Sequence, residues 1–314
     1  MDSRPPRSLT AHMSLPAVFE RRRAARVAPS TARVAIAPRA ADGFWTRDLQ
    51  SSPSATAAAV SALVVAEQHF DDVPQIGPPS NDSWTPGALF RGEFTQLVVQ
   101  NLRWLAERQN ADGGWSDAEG GRSNLAATML VEAAFQLTGV PAKAADLMER
   151  AVEYVKQAGG DAEIRKQYAA DPALASAVLS TCALADLVSW RRVPGLSWRR
   201  ITSLIQRREV SPQSADDPTA PLLATGIARF RHAPPFNPLR RLGESLAQKP
   251  ALAALGELQG VSGAFMESIP QTSFVVMSLA GAGLHEHPVV RRGVEFLLTT
   301  VNSDGGWPNR RAAA

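Results

Sequence analysis

Three carboxylates stand at similar distances behind an aromatic residue: Asp48 after Trp45, Asp117 after Trp115 and Glu267 after Phe265. Each lies just ahead of a stretch with helical periodicity. Two kinds of chemistry fit. A carboxylate at a helix start can accept backbone N–H bonds. Three carboxylates around one mouth of an apolar cavity would instead suit cation stabilisation or proton transfer. The aromatics Trp45, Trp115, Phe265, Phe274 and Trp307 could add cation–π contacts or serve as structural plugs. Asp216-Asp217-Pro218 is a further acidic pair, best read as a helix start. His285-Glu286-His287 offers two imidazoles without a third ligand nearby, which is a weak metal signal. The single cysteine, Cys182, allows neither an internal disulfide nor a Cys-pair zinc site. The sequence contains no Gly-rich phosphate loop, Gly-x-Ser-x-Gly elbow or Asp-Asp-x-x-Asp pair, so no cofactor and no metal are expected.

The elements that must position these residues are helical hairpins. Gln109-Asn110-Ala111-Asp112-Gly113-Gly114-Trp115 sits between a predicted helix over 95–108 and another over 124–137. Asp-Gly-Gly permits a tight reversal, Trp is a large apolar plug, and Gln can tie one helix end to the next. The pattern returns as Asp304-Gly305-Gly306-Trp307, and more weakly as Gln259, Gly263 and Phe265. Repeated helix–turn–helix signals of this length mean stacked hairpins, an all-α fold.

These residues carry a resemblance. Arg292-Gly293-Val294-Glu295-Phe296-Leu297 leading into Gly305 and Trp307, with the run around Gln109, Gly113 and Trp115, resembles the QW motif of squalene–hopene and oxidosqualene cyclases. The similarity covers roughly residues 43–307, thinly in the middle. It implies an α/α toroid, with inner and outer helices around an apolar cavity. It also implies a polyprenyl or triterpene lipid partner, cation-driven cyclisation (an isomerase reaction) and peripheral contact with a membrane. That family protonates its substrate with Asp-x-Asp-Asp-Thr-Ala. The nearest string here, Ser214-Ala215-Asp216-Asp217-Pro218-Thr219-Ala220, has Ser for the first Asp and an extra Pro. A second reading therefore stands beside the cyclase: a catalytically dead lipid-binding or interaction module on the same scaffold. A zinc prenyltransferase on this fold would need an Asp two residues before Cys182, where Ser180 stands.

Taken in order, residues 1–42 are expected to form a disordered Arg/Pro/Ala-rich tail and 43–314 the toroid domain. Eight Arg stand against Asp2 and Glu20 in residues 1–40, whereas the whole chain is only +3, so the rest is net acidic. The basic pI therefore says nothing about a nucleic-acid surface on the folded part, no aromatic-plus-basic RNA motif appears, and no nucleic-acid partner is expected. Predicted helices cover about 55–68, 142–157, 172–188, 216–230, 239–258, 271–279 and 288–300. Trp190-Arg191-Arg192 through Trp198-Arg199-Arg200, followed by Ile201, Leu204 and Ile205, forms a basic amphipathic segment in which Trp190 and Trp198 could face a lipid headgroup layer. The expected location is cytoplasmic, with peripheral contact at the inner membrane face. Nothing in the sequence specifies an oligomeric state. No helix follows Trp307, so the ring reads as incomplete and the chain as truncated.

Overall fold

The computed structural model describes residues 50–67, 94–118, 120–139, 144–169, 172–195, 197–208 and 217–310. By contact the chain divides into Met1–Thr46 and Arg47–Ala314, and every described residue belongs to the second unit. The expected disordered tail, Trp45 and Asp48 lie outside the described residues.

The described residues form α1 (Pro53–Glu67), α2 (Thr95–Ala106), α3 (Leu125–Thr138), α4 (Ala145–Gln157), α5 (Gly160–Gln167), α6 (Pro172–Leu184), α7 (Trp198–Arg208), α8 (Thr219–His232), α9 (Pro238–Leu258), α10 (Ile269–Leu279) and α11 (Pro288–Thr299). A single π turn, Ala280–Leu284, continues α10. Starts are set by local chemistry. Asn124 accepts from the backbone N–H of Ala127 at 2.7 Å, and Asn237 accepts from Leu239 and Arg240. Prolines open α9 and α11, where a missing N–H costs nothing. The expected helix over 172–188 stops at Leu184, and Asp186 beyond it has φ +58°. Gly159 (φ +94°) and Gly160 (φ +57°) end α4 but also launch α5, which the sequence pattern does not reveal.

Two helix types divide the layers. α1, α3, α6, α8 and α10 are apolar nearly all round; in α1 every residue but Ser54 is buried. These helices form an inner layer that closes on itself. α1 packs on α3 and α10, α3 on α6, α6 on α8, and α8 on α10. α2, α4, α9 and α11 are amphipathic and cover it from outside. The architecture is the all-α toroid of stacked hairpins.

α10 also touches α6 across the layer, where the Thr181 hydroxyl lies 3.2 Å from the Met277 sulfur. Val60, Val131, Val178, Leu223 and Val276, one from each inner helix, are all fully buried. Small residues on these helices let them approach closely.

The layer closes through the turn at 301–307. Its Trp307 backbone N–H donates to Thr56 Oγ1 at 3.0 Å, and the Ser52 N–H donates to the Trp307 carbonyl at 2.8 Å. The turn that has no following helix in sequence thus docks on α1. Trp307 is fully buried, and its indole N–H reaches the Leu297 carbonyl at 2.9 Å. Trp307→Ala should cost about 3–5 kcal/mol by loss of a large buried side chain. Thr56→Val, which keeps the shape but strands the Trp307 N–H, should cost about 1–3 kcal/mol. Urea unfolding of the full chain checks both. Values inside about ±0.5 kcal/mol, as at an ordinary surface site, would mean that this turn does not hold α1.

Candidate functional site

The three turns share one bond, from the backbone N–H of the aromatic residue to a threonine hydroxyl. In the first, the Trp115 N–H donates to Thr128 Oγ1 at 3.0 Å and its indole donates to the Leu105 carbonyl at 2.8 Å. In the second, the Phe265 N–H donates to Thr272 Oγ1 at 3.0 Å, and Phe has no ring N–H to place. Gln109 Nε2 donates to the carbonyls of Gly113 and Leu147, both at 2.9 Å. Gln259 does the same to Gly263 at 2.8 Å and Val289 at 2.9 Å. Each glutamine therefore ties its own turn to the next outer helix. Each uses its donors alone, since both Oε1 atoms are buried without a partner among the described residues. Gly113 and Gly263 both have φ +88°, and a Cβ on either would press on the backbone carbonyl of Arg150 or Arg292. Val301 stands at the glutamine position of the third turn, where Gly305 has φ +93°. The motif residues Gln109, Gly113, Trp115, Gln259, Gly263, Phe265, Gly305 and Trp307 are thus places of close packing.

The carboxylates are spread through the same lacework. Asp117 accepts from the Ser52 hydroxyl at 2.8 Å and the Ser54 N–H at 2.9 Å, so it caps α1 rather than the helix that follows it in sequence. Asp304 accepts from the Ser51 hydroxyl at 2.7 Å, the Gly306 N–H at 3.0 Å and the Trp104 indole at 3.2 Å. Both line a polar cleft of about 580 Å³ beside the start of α1, with Trp104, Glu107 and Arg108. Glu267 is not part of that lining. It accepts from the Ser262 hydroxyl in its own turn and has φ +51°. Asp217 accepts from the N–H and hydroxyl of Thr219 at the start of α8, and Asp216 lies outside the described residues. The oxygens of Asp117, Asp304 and Asp217 are thus engaged by two or three donors each at helix starts and turns, a capping arrangement.

Sequence reasoning missed Glu132. It is 9 % exposed on the inner helix α3, with no hydrogen-bond partner among the described residues. Burial raises its pKa above the ordinary carboxylate value. A raised pKa keeps the proton on at higher pH, but it also makes a weaker donor, so Glu132 is poorly suited to protonate an alkene. Burial, followed by the Glu132 and Asp161 charges, pushes the Cys182 thiol far above its usual range, so it is no nucleophile. His287 is engaged in starting α11, its Nδ1 accepting from the Val289 N–H at 3.3 Å. Its pKa is lowered by burial and then by Arg292. Among the described residues no three His, Cys, Asp or Glu side chains gather as a metal set.

Of the membrane-facing pair, Trp190 is half-buried and stacks on His232 with ring centroids 4.5 Å apart. Trp198 opens α7, and its side chain lies outside what the structure describes. Among the described residues no helix is long and apolar enough to cross a membrane.

The fold is an all-α toroid with a recurring Gly–aromatic turn motif. Residues 90–196 match the family model of the squalene-hopene cyclase N-terminal domain, and over that stretch the chain is similar to that family. No curated protein matches it.

Glu132 gives a pH prediction. Its folded-state pKa is raised, so its contribution to stability is fully present below the unfolded pKa and is lost as pH rises through the folded value. Glu132→Gln should therefore raise Tm at pH 7, and the gap should close below about pH 4. Thermal melts across that range check it; a gap that widens toward low pH would contradict the burial argument.

Proposed function

We propose that this chain is a lipid-surface module on a squalene-cyclase-like scaffold, and that it does not itself cyclise a polyprenyl chain. One observation carries the reading: an apolar stripe stands open on the outside of α9, while the described side chains of the inner layer are buried against one another. Phe236, Leu239, Leu242 and Leu246 are 84 %, 79 %, 59 % and 70 % exposed. The buried face of the same helix is Glu244, Ala247, Ala251, Ala254 and Leu255. At about 100° per residue the two faces are centred roughly 140° apart, so packing on the core does not account for the stripe.

Charge favours a lipid occupant. Residues 188–208 and 229–249 hold eleven Lys and Arg against one acidic residue, Glu244. α7, from the first stretch, packs on α9, from the second. An exposed apolar ridge set among arginines suits an anionic bilayer surface, where chains enter the acyl boundary and guanidiniums meet phosphates. A cytoplasmic protein meeting the inner membrane face would encounter such a surface.

A second reading, cation-driven cyclisation with Asp117 or Glu267 as acid, is favoured by the family match over 90–196. It requires a C30-sized opening where the inner helices now touch, and an acid freed from its donors.

Two measurements test the proposal. In flotation with anionic vesicles the full chain should bind, and Leu239→Ser and Leu242→Ser should each weaken binding roughly tenfold while leaving the melting curve unchanged. Incubation with squalene, followed by mass spectrometry of the extract, should give no cyclised product. Product that disappears in Asp117→Asn or Glu267→Gln would establish the second reading in its place. A folded protein that ignores anionic vesicles would end the first.

A further inference from the structure

A cleft of about 710 Å³ opens beside the first residue of the apolar stripe. One wall is the Trp190–His232 pair, stacked with only 7° between ring planes. His232 Nε2 is also 2.8 Å from the Gly281 carbonyl, so this wall is fastened to the π turn. Phe236 forms part of the rim, with the Arg191 guanidinium 4.9 Å from the centre of its ring.

Three guanidiniums converge on the cleft, and each has unspent donors. Arg229 uses Nε on the Val193 carbonyl at 2.9 Å. Arg240 uses Nε on Glu244 at 2.7 Å. Arg191 and Arg229 have no carboxylate partner among the described residues. Burial disfavours the charged form of Arg229, Arg240 adds to that, and Glu244 opposes it. A half-buried cation whose nearest carboxylate, Glu244, is already paired with Arg240 gains from an anion brought to it. Asp186 is the one carboxylate of the lining and Glu244 is paired with Arg240 beside it, leaving a net charge of about +1. A phosphomonoester presents three acceptor oxygens, one more than a diester, a closer match to three guanidiniums with donors to spare. Guanidinium forks fit such oxygens in pairs.

We propose that this cleft is a headgroup site for a phosphomonoester lipid. The phosphate is held by Arg191, Arg229 and Arg240, and the tail runs out over Phe236 along Leu239, Leu242 and Leu246. The proposal rests on the lipid-surface reading and adds the identity of the headgroup. The charge of α7 and α9 alone would attract any anionic membrane; the cleft distinguishes among them.

The test compares the full chain on two vesicle types of equal surface charge, one containing phosphatidic acid and the other phosphatidylglycerol. Binding should be about tenfold tighter to phosphatidic acid, and soluble glycerol phosphate should compete for the difference. Arg191→Gln, at an exposed position, should erase the preference for phosphatidic acid. Arg240→Lys keeps a charge beside the buried Glu244 but loses the planar fork, and should erase it too. Equal binding to both vesicle types would overturn the headgroup site and leave the lipid-surface reading standing. A preference untouched by both substitutions would place recognition elsewhere. Binding of glycerol phosphate by a chain that ignores all vesicles would overturn the lipid source along with the surface reading.

Discussion

The structure depends on a single backbone N–H, that of the aromatic residue closing each turn. It is buried, and an unpaired buried N–H costs on the order of 1–3 kcal/mol. In each turn a threonine of an inner helix accepts it: Thr128 for Trp115, Thr272 for Phe265 and Thr56 for Trp307. Thr128 and Thr272 also donate their hydroxyl protons to the carbonyl four residues back, at 2.8 and 2.7 Å. The hydroxyl is thus donor and acceptor at once, a role no aliphatic residue of similar shape can fill. Seating the aromatic fixes where the inner helix starts, and the glutamine then fixes the next outer helix against the same turn. Hairpin stacking follows from these two fastenings.

Much of this was legible in the sequence, and for a physical reason. Asp-Gly-Gly before Trp demands a reversal, and alternate all-apolar and amphipathic helices demand two layers. The closing contact was not legible. Ser51-Ser52-Pro53 looks like an ordinary helix start, and Asp304-Gly305-Gly306-Trp307 looks like a turn with nothing after it. They are two halves of one motif separated by 251 residues, and no local pattern connects them. Asp117 shows the same limit: its residue type says that it will cap a helix start, but the start it caps lies 63 residues earlier in the chain. α5 escaped because two glycines signal an ending, and eight residues are too few to display periodicity.

The polar residues that first suggest chemistry turn out to be spent on architecture. Asp112 and Asp304 hold Ser123 and Ser51 in matching positions, each at 2.7 Å. Ser180, Thr181 and Ser273 turn their hydroxyls back onto carbonyls of their own helices, whereas those of Ser61, Thr225 and Ser278 are buried without a partner among the described residues. Small side chains bring the helices together, and the same closeness removes the room that a long hydrocarbon would need. The cleft at Trp190 and Arg229 is different, because its cations keep donors that the fold leaves unused. That cleft was only half legible: Trp190 and Arg191 stood out in the sequence, but Arg229, His232 and Arg240 join them only through the packing of α8 and α9.

Access follows from the way the layer is laced. Beyond Trp307 the chain crosses the helix starts, with Pro308 bridged to Ser51, Arg310 bridged to Ser268 and the Ile269 N–H donating to the Asn309 carbonyl at 3.1 Å. This short strap joins the beginnings of α1 and α10, the two helices at which the inner layer closes. A hydrocarbon entering between them would have to break the strap and the Trp307–Thr56 bond together. It would also have to displace side chains that already fill the space, and neither cost is returned by new hydrogen bonds. A lipid lying along α9 breaks nothing. It removes from water four large apolar side chains that the fold leaves exposed, each worth roughly 1.5–3 kcal/mol on full burial. The energetic contrast between those two routes favours a lipid on the outer surface over one inside the layer.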